Sequence, residues 1–218
     1  MCFPISLSCK NAKRICLISL AVIFSVSCSS RSYPVTELNS YPVDMSAYKG
    51  MSSTEHHFKG IYPEELLTLF EEKGSAVIYL GYSSCPNCQE AVKMIEKAAE
   101  KKDITVYYLD AYHESHPLSP YVEEVEELLY DILPEKDGKR SIMVPFLFAV
   151  KDGIPCEHYC GLFPDYDGSE KANQKMIRIY TDIMKDFKAA EPFIRSGMPI
   201  ESRSTTYIDA VIRRRCYL

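Results

Sequence analysis

Residues 76–99 read AVIYLGYSSCPNCQEAVKMIEKAA: a short apolar run, a break at Ser83-Ser84-Cys85-Pro86, and then apolar residues at helical spacing. Ala76 to Tyr82 is rich in β-formers and bounded by turn residues, so it reads as a strand. Val92, Ile95 and Ala99 then share one face of a helix. Strand, turn and helix follow one another within 24 residues. Ile104 to Leu109, YYL-centred and apolar, supplies a second strand. A helical crossover joins the two, which makes them parallel neighbours in a βαβ unit.

Working outward, YPEELLTLFEEKG places Leu66, Leu69 and Phe70 on one face of a helix that opens the domain near Tyr62, with Gly74 as its expected C-cap. Ser119-Pro120 starts another helix carrying Val122, Val125, Leu128, Leu129 and Ile132, and Pro134 stops it. The charged stretch EKDGKRS after it reads as a loop. Ile142 to Val150 and Ile154 to Cys160 are apolar runs joined by Lys151-Asp152-Gly153, a strong hairpin signal. A long helix from about Ser169 to Ala190 closes the domain, with Met176, Ile177, Tyr180, Ile183, Met184 and Phe187 inward. The predicted order is α, β, α, β, α, β, β, α.

Cys85-Pro86-Asn87-Cys88 sits where the first strand ends and its helix begins. At a helix N-terminus the free N–H groups and the positive dipole end stabilise a thiolate, which makes Cys85 the expected attacking sulfur. Cys88, three residues on, lies on the same side of the first turn and is placed to resolve a mixed disulfide. Pro86 fits the first helical position, where its missing N–H would have had no partner. The competing use of a CxxC is half a zinc site, for which Cys156, His158 and Cys160 are the available further ligands. These three alternate on one face of the last hairpin strand, which holds them apart, so redox chemistry is the expectation and no metal is assigned.

With that motif and this element order the chain resembles the thioredoxin superfamily over roughly Tyr62 to Ala190. The resemblance implies an α/β, thioredoxin-like fold with a central mixed sheet flanked by helices. It implies catalysis by Cys85 and Cys88 through a redox-active disulfide, without an organic cofactor. It also implies a cis Pro145 beside the cysteine pair, with the backbone of Val144 docking the substrate chain. Thioredoxins carry a Trp before the first Cys and a buried carboxylate six residues before it; here those places hold Ser84 and Tyr79. Tyr79, with a reference pKa near 10, does not fit the role of proton acceptor at neutral pH. These departures point away from a general reductase. The run YLGYSSCPNC together with the N-terminal features below is most similar to bacteriocin transport accessory proteins. A different class of function stays open beside the enzyme: a non-enzymatic thioredoxin-like docking module of a peptide export system.

The N-terminus carries Lys10, Lys13 and Arg14 and then an apolar run of twelve residues, Ile15 to Val26. Twelve helical residues rise about 18 Å, short of the roughly 30 Å hydrocarbon core, so a secretory signal is expected rather than a membrane span. Ser25-Val26-Ser27-Cys28 resembles a bacterial lipoprotein processing box, which predicts residues 1–27 as signal peptide and Cys28 as the lipidated N-terminus. Residues 28–60, rich in Ser, Tyr, Pro and Thr, read as a tether, and His56-His57 within them as solvated histidines. The domain then runs from 61 to 191, and 192–218 form a C-terminal tail with Arg213-Arg214-Arg215. The predicted location is extracytoplasmic, at the bacterial cell membrane through a lipid anchor. The partners that follow are cysteine-containing secreted proteins or peptides and a redox partner protein.

Among 218 residues, 46% are apolar and 25% charged, which suits one sizeable core and excludes a collagen or a wholly disordered chain. Lys plus Arg total 25 against 30 acidic residues, a net charge of -5, so no positive field favours nucleic acid as a partner. Loss of residues 1–27 removes three of the basic side chains and no acidic one. Of the remaining cysteines, Cys156 and Cys160 would stand about 13 Å apart along a strand, beyond the roughly 7 Å a disulfide spans. Cys216 is left as a possible partner for either, or all three as unpaired thiols.

Overall fold

The computed structural model describes residues 32–189. The predicted signal peptide, Cys28 and the C-terminal tail with Cys216 lie outside the described residues.

The sheet grows from residues whose side chains are buried on both faces. All six residues of the strand Ala76–Gly81, β3, are buried, as are Val106 to Leu109 of β4, Val106–Asp110. A strand apolar on both sides needs cover on both sides. The helices supply it: α1, Pro63–Glu71, buries Leu66, Leu69 and Phe70, and α2, Pro86–Lys102, buries Val92, Ile95 and Ala99. β3 and β4 are parallel, Ile78 opposite Tyr107, as the βαβ reading requires. After α3, Val122–Leu128, the strands β7, Phe146–Lys151, and β8, Ile154–Cys160, form the expected antiparallel hairpin. The helix α4, Glu170–Ile183, packs along α2, its first turn capped by Ser169 Oγ, which accepts from the Ala172 N–H at 3.2 Å. The result is a mixed five-stranded sheet flanked by helices, with strand order β2 (Phe58–Gly60), β4, β3, β7, β8. Among the described residues no helix is long and apolar enough to cross a membrane.

One edge of that sheet, β2, Phe58–Gly60, comes from the segment read as a tether. The described part of that segment is packed against the domain. β1, Tyr33–Pro34, pairs in parallel with β9, Phe187–Lys188, and Val35, Leu38, Met45 and Tyr48 are buried in the common core. Its polar backbone is satisfied by the domain: the Leu38 N–H donates to Tyr107 Oη at 3.0 Å, and the Tyr107 hydroxyl donates to the Thr36 carbonyl at 2.8 Å. The apolar residues are spaced by turns rather than by a strand or helix period, which hides them from a periodicity reading. His57 is not merely solvated either: its Nδ1 lies 2.7 Å from Glu96 Oε1 on α2, and its N–H donates to Glu96 Oε2 at 3.0 Å.

Three further details depart from expectation. The closing helix ends at Ile183, and Phe187 reaches the core from β9 instead. The left-handed residue after α1 is Lys73, φ 54°, while the following Gly74 N–H donates to the Leu69 carbonyl at 2.8 Å. The charged loop EKDGKRS is a small hairpin of β5, Glu135–Lys136, and β6, Lys139–Arg140, turning through Asp137 and Gly138 at φ 53° and 76°.

The turn of the β7–β8 hairpin docks on the end of α1. Gly153, at φ 75°, donates its N–H to the Gly74 carbonyl at 2.8 Å, and a Cβ there would stand 2.9 Å from Lys73 Cα and 3.0 Å from the Phe70 carbonyl oxygen. Gly153→Ala therefore combines left-handed strain with a backbone collision, for an expected loss of roughly 2–3 kcal/mol in urea unfolding. Gly138→Ala, at the same φ but with nothing within 4 Å, is expected to cost only the strain, about 1 kcal/mol.

Candidate active site

Cys85 is the N-cap residue of α2 and Pro86 its first helical residue. The Cys88 N–H donates to Cys85 Sγ at 3.2 Å, and the Cys85 N–H donates to the Tyr82 carbonyl at 3.2 Å. One orphan N–H of the helix thus finds a sulfur rather than a hydroxyl cap. The two thiols are free, with Cys85 7% exposed and Cys88 fully enclosed. Burial first, and then the hydrogen bond and charge of Cys85, push the Cys88 thiol up to about 12. Cys88 is therefore a protonated, shielded thiol at neutral pH.

That environment has a measurable consequence. At pH 8 a thiol with a pKa of about 12 is thiolate in only about one part in ten thousand. Iodoacetamide at pH 8 is expected to leave Cys88 unmodified in the native, reduced protein and to modify it in denaturant. Rapid native alkylation of Cys88 would contradict this burial.

The Val144-Pro145 peptide bond is cis. Register places it beside the motif: Leu80 of β3 lies opposite Phe146 of β7, so the next positions along the two strands bring Val144-Pro145 toward Gly81 and Tyr82. Tyr82 and Val144 line one surface depression of about 660 Å³, walled further by Tyr112, Met143, Lys136 and Lys139. Tyr112 is 71% exposed and sets its ring edge-on to Tyr82 at 4.7 Å. Among the described residues, neither the N–H nor the C=O of Val144 has a hydrogen-bond partner.

The sequence reading missed the brace behind the motif. The Gln89 side-chain amide donates to the carbonyls of Ser83 and Ala47, and its Oε1 accepts from the Lys49 N–H at 2.7 Å. Gln89 thereby ties the loop before Cys85 to the segment preceding β2. The only sequence signal was a polar residue next to Cys88, which any exposed helix offers.

Cys156 and Cys160 both lie on β8. Cys156 Sγ donates to the Ala149 carbonyl at 3.3 Å and Cys160 Sγ to the Met143 carbonyl at 3.5 Å. Burial pushes Cys160 up to about 11, and burial with a hydrogen bond to Glu157 pushes Cys156 up to about 12. Among the described residues no group of three or more His, Cys, Asp or Glu side chains is placed to hold a metal ion.

The fold and site define an α/β protein with a cysteine pair at the N-terminus of a helix and a cis proline beside it. No family model and no curated protein matches the chain. Among solved structures it is similar to thioredoxin O2 from Arabidopsis thaliana, at 16% identity and a TM-score of 0.39, covering 62% of this chain and 96% of that one. It is also similar to the thioredoxin of Trypanosoma brucei brucei, at 16% identity and a TM-score of 0.37 over 58% of this chain and 90% of that one. Spinach chloroplast thioredoxin f gives 19% identity and a TM-score of 0.35, over 58% and 98%.

Proposed function

We propose that this chain is a thiol-disulfide oxidoreductase working through the Cys85-Cys88 pair. The observation that carries the reading is the placement of the two sulfurs: Cys85 at the helix cap with an N–H aimed at it, and Cys88 enclosed three residues behind. In the reducing direction Cys85 thiolate attacks a substrate disulfide, forming a mixed disulfide and releasing one substrate thiolate. Cys88 loses its proton and attacks Cys85 Sγ, the mixed disulfide breaks, and the second substrate sulfur leaves and takes up the proton. The substrate disulfide is reduced to two thiols while Cys85 and Cys88 are oxidised to a disulfide; the oxidising direction is the same sequence reversed. The free backbone groups of Val144 pair with the extended substrate chain.

The finer reading is an extracytoplasmic enzyme anchored through acylated Cys28, acting on disulfides of secreted proteins or peptides, as a bacteriocin transport accessory-type protein would. The leader-like residues 1–27 and the lipoprotein-like Ser25-Val26-Ser27-Cys28 support it.

The test is reduction of insulin by dithiothreitol. The full chain is expected to accelerate it in proportion to its concentration. A rate equal to the uncatalysed one, with the same result for glutathione-driven oxidation of reduced ribonuclease, would leave the docking module as the better account.

A further inference from the structure

Three tyrosines that the exchange chemistry above does not use are buried around Cys88. Tyr79 of β3 is fully enclosed, and Tyr108 of β4 and Tyr48 of the segment before β2 are nearly so. The Tyr108 ring stacks on Tyr79, centroids 5.5 Å apart and planes at 26°, and Tyr48 meets Tyr108 edge-on at 6.0 Å. The Tyr48 and Tyr108 hydroxyls hydrogen-bond each other at 3.0 Å. Among the described residues the Tyr79 hydroxyl, by contrast, has no partner at hydrogen-bond distance and angle. Tyr48 and Cys88 are its nearest polar neighbours, close enough for each to bear on it as a side-chain hydrogen-bonding group, though neither meets strict hydrogen-bond distance and angles.

Room for the end of that ring is built into the strand. A Cβ at Gly81, two residues along the same face of β3, would stand 2.6 Å from Tyr79 Oη. The same Cβ would stand 2.7 Å from Tyr79 Cζ, so the clearance serves the ring as well as its hydroxyl; phenylalanine at 79 would fit it too and would leave no buried polar atom unsatisfied. A hydroxyl kept in place and unpaired is available to an acceptor that arises only during the reaction. Around it, Tyr48 and Tyr108 are engaged with each other. The enclosed group that gains charge is the Cys88 sulfur, when it gives up its proton to resolve the mixed disulfide.

We propose that the Tyr79 hydroxyl donates a hydrogen bond to the Cys88 sulfur as it becomes a thiolate, while the Tyr48-Tyr108 pair fixes the Tyr79 ring. The inference rests on the exchange function proposed above. No proton is lost by Tyr79: Cys88 gives its proton to the departing substrate thiolate, the Cys85-Cys88 bond forms, and the Cys85-substrate bond breaks. Tyr79 thus holds charge on the resolving sulfur, where a carboxylate would have accepted its proton. Burial keeps the Tyr79 hydroxyl protonated throughout, since desolvation raises it well above its ordinary value.

The test compares the full chain with Tyr79→Phe, both reduced and then mixed with glutathione disulfide. Samples are acid-quenched over time and the tryptic peptide Gly74–Lys93 is weighed, since it holds Cys85 and Cys88 and no other cysteine. The glutathione adduct at Cys85 is expected to form at the same rate in both chains. Its conversion to the internal disulfide is expected to slow about tenfold in Tyr79→Phe, as loss of one hydrogen bond to a charged group implies. Its thermal midpoint should be unchanged or higher, because an unsatisfied buried hydroxyl has been removed. Conversion at the wild-type rate overturns the proposal, and so does equal slowing of both steps with a lowered midpoint, which would mark a packing role. A wild-type chain that forms the adduct but never the internal disulfide is a separate result, and it defeats the exchange reading itself.

Discussion

Cys85→Ser is expected to abolish catalysed insulin reduction, lowering the rate by about three orders of magnitude or more to the uncatalysed level. The magnitude follows from position. Cys85 alone combines the cap of α2, the N–H of Cys88 at 3.2 Å and an edge open to the surface. Cys88 cannot replace it, being fully enclosed and held up to about 12 by burial. Cys88→Ser is the informative counterpart: the first attack survives and the chain stalls as a mixed disulfide with its substrate, visible as an added mass on the Gly74–Lys93 peptide. Cys156 and Cys160 stand outside this sequence, so replacing both by Ser should leave the rate within about twofold.

The largest effect on stability is expected from a segment that supplies neither sulfur of the exchange. Deleting 32–57 removes Val35, Leu38, Met45 and Tyr48 from the core and uncovers Phe58. At roughly 1.5–3 kcal/mol for each buried side chain the loss is on the order of 10 kcal/mol. A domain's whole margin is about 5–15 kcal/mol. The shortened chain should therefore show no cooperative urea transition, and the pairing of β1 with β9 and the Gln89 brace go with it. A sharp transition close to that of the full chain would mean that the segment is the dispensable tether its composition suggests.

The contrast between what the residues announced and what they concealed has a physical pattern. The CPNC turn, the βαβ unit and the Asp152-Gly153 hairpin were legible because each depends on contacts within a short stretch: apolar period, cap residues and a dipeptide that accepts left-handed φ. Asp137-Gly138 is the same dipeptide in the same conformation, yet it was read as a loop, since its flanking strands, Glu135–Lys136 and Lys139–Arg140, are charged and two residues long. β2 is only three residues, and its neighbour in the sheet, β4, lies more than forty residues on. Phe187 kept a helical spacing with Met176, Ile177 and Tyr180 although the chain leaves the helix at Ile183, so its burial was right and its element was not. In the site, Cys85, Cys88, Val144 and Pro145 came from motif and resemblance. Gln89, Tyr48 and Tyr108 owe their places to pairings across the sheet and to a segment whose packing no local pattern declares.

Cys85 and Cys88 are expected to interconvert as a reversible two-electron couple. Its most direct test equilibrates the full chain in glutathione buffers of graded potential, traps thiols in acid with N-ethylmaleimide, and weighs the Gly74–Lys93 peptide. One transition between the dithiol and an internal disulfide is expected, reached alike from either side. A midpoint near -270 mV would mark a reductase and one near or above about -200 mV an oxidase or isomerase. A peptide that keeps two thiols, or carries only glutathione, across the whole range would contradict it.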